Sequence, residues 1–231
     1  MEATGKTTPV LVLFDIDGTL IRRAGPHHRM ALVEAIRKTT GFETTTDSIP
    51  LHGMLDPVIM TEMLRRAGAP EALILEAMPE MIRHAQSIYV RTCPNLERKT
   101  CPGVRRLLTR LERRGVILGL VTGNLTRIGW KKMERTGLKP YFKFGAFGEM
   151  AADRAGLVTI AVGEACRRGW INGNSRITYV GDAHNDVLAA QSAGVQSVAV
   201  ATGLCPPAEL ASYSPDYLLE DLNGLKLEMV L

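Results

Sequence analysis

Val10-Leu11-Val12-Leu13-Phe14 runs straight into Asp15-Ile16-Asp17-Gly18-Thr19-Leu20, and this junction limits the possible folds more than any other stretch. Five consecutive apolar residues make a strand buried on both faces, which belongs in a sheet covered by helices on each side. Two carboxylates one residue apart then arrive where the strand should end. Gly18 gives the turn access to positive φ, so the backbone can approach a ligand closely. A strand closing in a polar turn would also bring Asp and Gly together.

Polar clusters farther along weigh against that simpler account. From Pro102 the chain alternates. A helix carries Val104, Leu107, Leu108 and Leu111 on one face and stops at Gly115; a strand spans Val116–Val121 and gives way to Thr122-Gly123-Asn124. A helix to Arg135, a strand Phe144–Phe147, a loop ending at Asp153-Arg154 and a helix Leu157–Arg168 follow. Strand Ile177–Val180 then ends in Gly181-Asp182-Ala183-His184-Asn185-Asp186. Helix through Ala193 and strand Ser197–Val200 complete the pattern, with a short helix Ala208–Ser212 and an edge strand Tyr217–Leu219 after it. Such alternation predicts an α/β fold with parallel strands and right-handed crossovers. Ligands collect at the carboxyl ends of these strands, where Asp15/Asp17, Thr122/Asn124 and Asp182/Asp186 all fall.

The stretch 22–95 reads differently. His27–Thr39 has helical apolar spacing up to Gly41, and Asp56-Pro57 opens a second helix as N-cap and first-turn proline. A third runs from Pro70 to Thr92, with Pro79 expected to kink or divide it. Met54, Met60, Met63, Met78 and Met81 are expected to fill its core. The domains are therefore a core of 1–21 and 96–231 and a helical insertion of 22–95.

The 28 basic and 24 acidic residues leave a net charge of +4, a mild bias towards anionic ligands. Aromatics make up 5% of the chain, and no stretch interleaves them with basic residues, so nucleic acid is not an expected partner. No apolar run reaches the ~18 residues of a spanning helix, and Met1–Thr8 has no apolar secretory region. Cys93, Cys101, Cys166 and Cys205 lack metal or redox spacing, so free thiols and a cytoplasmic location are expected. Monomer and homodimer are both open.

Carboxylates converging on one rim repel by roughly 3 kcal/mol per pair at ~5 Å and an effective dielectric near 20. A divalent cation relieves this, and an all-oxygen set suits Mg²⁺. Asp15 is the candidate nucleophile towards phosphorus, forming an aspartyl-phosphate. Asp17 is the general acid and then base. Thr122, with the backbone N–H groups of Gly123 and Asn124 near a helix start, forms a phosphate cradle; capping the next helix is the other role open to Thr122. Arg154 offsets charge on the transferring oxygens, Asp182 completes the metal shell, and Asp186 orients a metal-bound water or Arg154. His184 is read as a loop residue.

The three motifs Asp15-Ile16-Asp17-Gly18-Thr19, Val121-Thr122-Gly123-Asn124 and Gly181-Asp182-Ala183-His184-Asn185-Asp186 resemble, in order, those of the haloacid dehalogenase superfamily, specifically its phosphatase branch. The resemblance spans essentially the whole chain. It implies a Rossmann-like core with a helical cap, Mg²⁺ held by the Asp15 carboxylate, the Asp17 backbone carbonyl and Asp182, and Gly18 at the phosphate site. That family's Lys-Pro-x-Pro third motif is missing; Arg154 fits its position best, with Lys143 in reserve. The second aspartate, Asp17, favours phosphate over halide chemistry. By analogy with phosphoglycolate-phosphatase-like members, the turn bearing His52 and Gly53 faces the site, an ordinary interhelical turn being the other reading; Arg22 and Arg23, at the hinge, are separate candidates for contacting a substrate's anionic tail. The expected substrate is a small phosphorylated metabolite; a sugar-phosphate mutase and a non-catalytic ligand-binding member are the alternatives.

Overall fold

The computed structural model describes residues 8–22 and 24–231. Residues 1–7, part of the polar N-terminus, and Arg23, the expected contact to a substrate tail, lie outside the described residues. Six parallel strands form one sheet: β1 (Val10–Phe14), β2 (Ile117–Thr122), β3 (Phe144–Phe147), β4 (Arg176–Gly181), β5 (Gln196–Val200) and β6 (Tyr217–Leu219). Their spatial order is β3-β2-β1-β4-β5-β6. The most apolar strand thus sits inside, with Leu13 paired to Gly119 of β2 on one side and to Tyr179 of β4 on the other.

Period-two alternation divides β1 between two cores. Val10, Val12 and Phe14 face one layer, and Leu11 and Leu13 face the other. Helices α1 (His27–Thr40), α2 (Asp56–Arg66) and α3 (Glu71–Thr92) follow β1, and the remaining helices are α4 (Val104–Arg113), α5 (Thr126–Thr136), α6 (Arg154–Arg167), α7 (His184–Ser192) and α8 (Pro207–Ser212). The apolar stripes of α4 and α5 cover the first face together with buried residues of α1–α3. Leu157, Val158, Ala161 and Ala165 of α6 and Ala189 and Ala190 of α7 cover the second. Met60, Met63 and Met81 are buried, and Met54 and Met78 pack against the same core.

Two expectations change. Pro79 does not divide α3, which runs unbroken from Glu71 to Thr92. It lies on the solvent side with exposed Leu75, the residue whose carbonyl loses its donor, so water can take the missing bond. Helix α6 begins at Arg154 rather than Leu157, because Asp153 caps it, accepting from the Gly156 N–H at 2.8 Å.

Candidate active site

Because the strands are parallel, Asp15 after β1, Thr122 ending β2 and Asp182 after β4 emerge on one edge of the sheet. Carboxylate oxygens of Asp15, Asp182 and Asp186 lie within 4.8 Å of one another, all three residues buried. Burial and the negative charges of Asp186, Asp182 and Asp17 push Asp15 up to about 7, against the opposing pull of Arg154. Burial also raises Asp182, which accepts from Thr19 Oγ1 at 3.0 Å and lies 2.9 Å from His52 Nε2. Two glycines make room for its carboxylate: a Cβ on Gly18 (φ +89°) or on Gly203 would fall inside it.

Arg154 is 7% exposed, far from the surface position a loop arginine beside Asp153 would hold. Its Nη1 donates to Asp15 Oδ1 at 3.0 Å, and its Nε lies 3.3 Å from Asp186 Oδ1. Asp186 is fixed in turn by the Ala183 N–H at 3.0 Å and the Tyr179 hydroxyl at 2.7 Å. Lys143, the reserve for this role, is exposed and set over the Trp170 ring at 5.4 Å; it takes no part in the site.

Asp17 occupies different surroundings. Its Oδ2 accepts from Lys132 Nζ at 2.6 Å and from Asn124 Nδ2 at 2.8 Å. Burial opposes its ionisation, but the Lys132 ammonium and these hydrogen bonds outweigh burial and hold the carboxyl below its ordinary range. Lys132 is 1% exposed and spends its other two N–H bonds on Asn124 Oδ1 at 2.6 Å and His28 Nδ1 at 3.1 Å. With Nδ1 accepting, His28 donates through Nε2 to Asp56 Oδ2, 2.9 Å away.

Asp56 therefore does not cap α2. Its Oδ2 accepts from the Leu125 N–H at 2.8 Å, and its own N–H donates to the Gly123 carbonyl at 2.8 Å. Thr122, Gly123 and Asn124, the expected phosphate cradle, all line a cavity under the helical block, while the N–H groups that follow them are already bonded. The Leu125 N–H is taken by Asp56, and the Thr126 N–H by Glu149 at 2.9 Å. The Asn124 N–H faces Thr122 Oγ1 at 3.4 Å, and Asn124 Nδ2 donates to the same oxygen at 2.7 Å. Thr122 thus serves Asn124 and not the start of α5. Gly123 presses against the backbone of Met54, where a Cβ would meet the Met54 carbonyl.

The turn before α2 reaches the acidic edge through His52, on Asp182, and through the Gly53 carbonyl, which accepts from Asn185 Nδ2 at 3.2 Å. The contact with Asp182 raises His52 above the ordinary histidine range despite partial burial. Between helical block and sheet edge lies a cavity of about 690 Å³. Asp15, Asp17, Thr122, Lys132, Arg154 and Asp182 line its floor; Leu32, Leu51, Met54 and Ile59 line its roof, with Arg22 and Arg29 also on its wall.

The donor set at the acidic edge is oxygen only, buried and mutually repulsive, which suits a hard divalent cation. The side chain of Asp17 is turned away to Lys132 and Asp186 is committed to Arg154, Tyr179 and the Ala183 N–H, so Asp15 and Asp182 are the carboxylates that could hold such an ion, Asp182 in place of its contact with His52. Lys132, His28 and Tyr179 were missed in the sequence, and Asp56 was misassigned.

Comparison with known proteins bears on this arrangement. A "Phosphoglycolate phosphatase" of Pseudomonas fluorescens is 28% identical over 227 residues, covering 94% of this chain and 78% of that protein. Another, from Agrobacterium fabrum, is 29% identical over 231 residues, covering 96% and 93%. The fold is shared with a "predicted phosphoglycolate phosphatase" from Haemophilus somnus (TM-score 0.69, 20% identity, 98% and 100% coverage). It is shared equally with a β-phosphoglucomutase from Clostridium difficile (TM-score 0.69, 20% identity, 96% of each chain). The model of the haloacid dehalogenase-like hydrolases matches residues 10–194, which takes in all three acidic and hydroxyl motifs, and the chain belongs to that family.

Proposed function

We propose that this hydrolase cleaves phosphomonoesters of small metabolites, with Asp15 as nucleophile and the helical block 22–95 as a cap over the reacting groups. One observation carries this reading. Asp15, Asp17, Thr122, Arg154 and Asp182 line the floor of one cavity under the helical block, Asp15 paired with Arg154 at 3.0 Å and Asp17 held by Lys132 at 2.6 Å and Asn124 at 2.8 Å. Two carboxylates with separate partners on one floor can take separate roles, one attacking phosphorus and one moving protons.

Asp15 attacks the phosphorus, forming a bond from a carboxylate oxygen while the bond to the ester oxygen breaks. Asp17 gives that leaving oxygen its proton, then removes one from the water that hydrolyses the aspartyl-phosphate. Arg154, fixed by Asp186, balances charge on the transferring oxygens, and Thr122 stands at the same edge. Asp15, Asp182 and the Asp17 backbone carbonyl would hold a Mg²⁺ ion, which would supply charge neutralisation for the approaching anion. The cap excludes water and limits access.

The names of the relatives favour a phosphoglycolate-like substrate. The cavity also has room for a larger body, which keeps a sugar-phosphate mutase as the second reading. A phosphate-ester panel with and without Mg²⁺ separates them: free phosphate from a small ester supports the hydrolase, isomerised sugar phosphate the mutase, and silence across the panel removes both. Asp15→Asn should abolish turnover while retaining the fold. Near-normal activity in that variant refutes the nucleophile.

A further inference from the structure

We propose that His184, Cys205 and Glu209 form a binding site for one transition-metal ion of the zinc type, separate from the acidic edge. His184 opens α7 after β4, Cys205 lies in the turn after β5, and Glu209 is in the first turn of α8. Because β4 and β5 are neighbours, the two turns meet, and one donor atom from each residue lies within 4.8 Å of the other two. A tetrahedral zinc ion separates its ligands by roughly 3.5 Å, so small side-chain adjustments close the site.

Two further observations point to a missing ligand. His184 Nδ1 is buried and has no hydrogen-bond partner among the described residues. Glu209 Oε1, at 3.5 Å, lies near it without hydrogen-bond geometry. The ring is held in place by stacking on Tyr213, with centroids 5.1 Å apart and planes at 21°. Cys205 is a free thiol, 5% exposed, followed by Pro206-Pro207, which stiffen the turn.

The donor types choose the metal. Imidazole nitrogen, thiolate sulfur and carboxylate oxygen favour Zn²⁺ or Co²⁺ and do not suit Mg²⁺, which takes oxygen. Three protein ligands leave a fourth position for water. An ion here would tie together two turns that both flank Asp182: His184 is two residues beyond it, and Gly203 packs directly against its carboxylate. The role is a clamp on the metal-facing edge of the reaction centre.

The test uses the full chain, stripped with chelator and then saturated with Mg²⁺ so that the acidic edge is occupied. Titration with Co²⁺ should raise a thiolate-to-cobalt charge-transfer band that saturates at one equivalent, is bleached by Zn²⁺ and is unaffected by more Mg²⁺. Cys205→Ser should abolish the band and weaken Zn²⁺ binding at least about 100-fold, and Glu209→Gln should weaken it about 10-fold or more. Cys166→Ser, which removes an exposed thiol elsewhere, should leave the band in place. Absence of the band, its loss in Cys166→Ser, or unchanged Zn²⁺ affinity in Glu209→Gln overturns the proposal. The glutamate is half-exposed, so that variant stays informative even if Cys205→Ser fails to fold.

Discussion

Replacing Lys132 by methionine isolates the support of the proposed acid–base group. The substitution keeps an unbranched side chain of similar volume in a slot 1% exposed, and removes the ammonium 2.6 Å from Asp17 Oδ2. Two unit charges at that distance attract by ~6 kcal/mol at an effective dielectric near 20 and by ~1.6 kcal/mol in water. The Asp17 side chain keeps 44% of its exposure towards the cavity, so solvent screens the pair and the lower end applies. Methionine also relieves the burial of a charge, leaving a net destabilisation of about 1–2 kcal/mol. The catalytic effect should be larger. Asp17 keeps only the Asn124 hydrogen bond and loses alignment with the leaving oxygen, and a positioned proton donor contributes 10²–10⁴-fold. We expect kcat to fall about 100-fold, or ~2.7 kcal/mol of barrier, with KM within about threefold. The carboxyl is no longer held below its ordinary range, so the alkaline limb of kcat/KM, set by loss of the donor's proton, should move to higher pH. Steady-state phosphate release across pH, beside urea unfolding, reads all three. A kcat within about threefold of wild type, or a loss confined to KM, refutes the assigned role of Lys132.

Asp56→Ala leaves the Leu125 N–H and His28 without their acceptor and should cost about 1–3 kcal/mol in urea unfolding, with a fall in kcat because His28 also contacts Lys132. Arg154→Ala should lower kcat/KM at least 100-fold while Lys143→Ala leaves it unchanged; equal losses in the two would return the third motif to Lys143. Asp15 and Asp182 are raised in the folded chain, so between the unfolded carboxylate range and about 7 the folded state binds more protons than the unfolded one. Stability is then fully present at low pH within this window and is lost as pH rises. Chelator-treated protein should melt progressively lower from pH 5 to 7, with the largest rise on adding Mg²⁺ at the upper end; a flat or rising profile without metal contradicts the buried acidic cluster.

The sheet was legible because its strands are short, apolar and spaced by helices with clear stops, and Phe144–Phe147 coincides with the observed strand. The acidic edge was legible too, since parallel pairing alone places the ends of β1, β2 and β4 together. Lys132 was missed although a signal existed. Ile128, Gly129, Met133 and Thr136 mark the buried face of α5, and Lys132 falls within that stripe, where a charge requires a partner. Asp56 was misread because Asp before Pro is a good local cap, and nothing local shows that its acceptor faces a backbone N–H 69 positions later. His28 gave no cue, since its partners are distant in sequence.

The bridge from Asp56 through His28 to Lys132 has a mechanical consequence. Asp56 opens α2 and His28 lies in α1, whereas Lys132 lies in α5 against the sheet. Were the helical block to swing outward as the proposed cap, parting Asp56 from Leu125 would also strip His28 from the ammonium that steadies Asp17. On that reading the enzyme would be inert while gaping and armed only when shut, so that capture of the substrate and readiness of the proton donor would become one event.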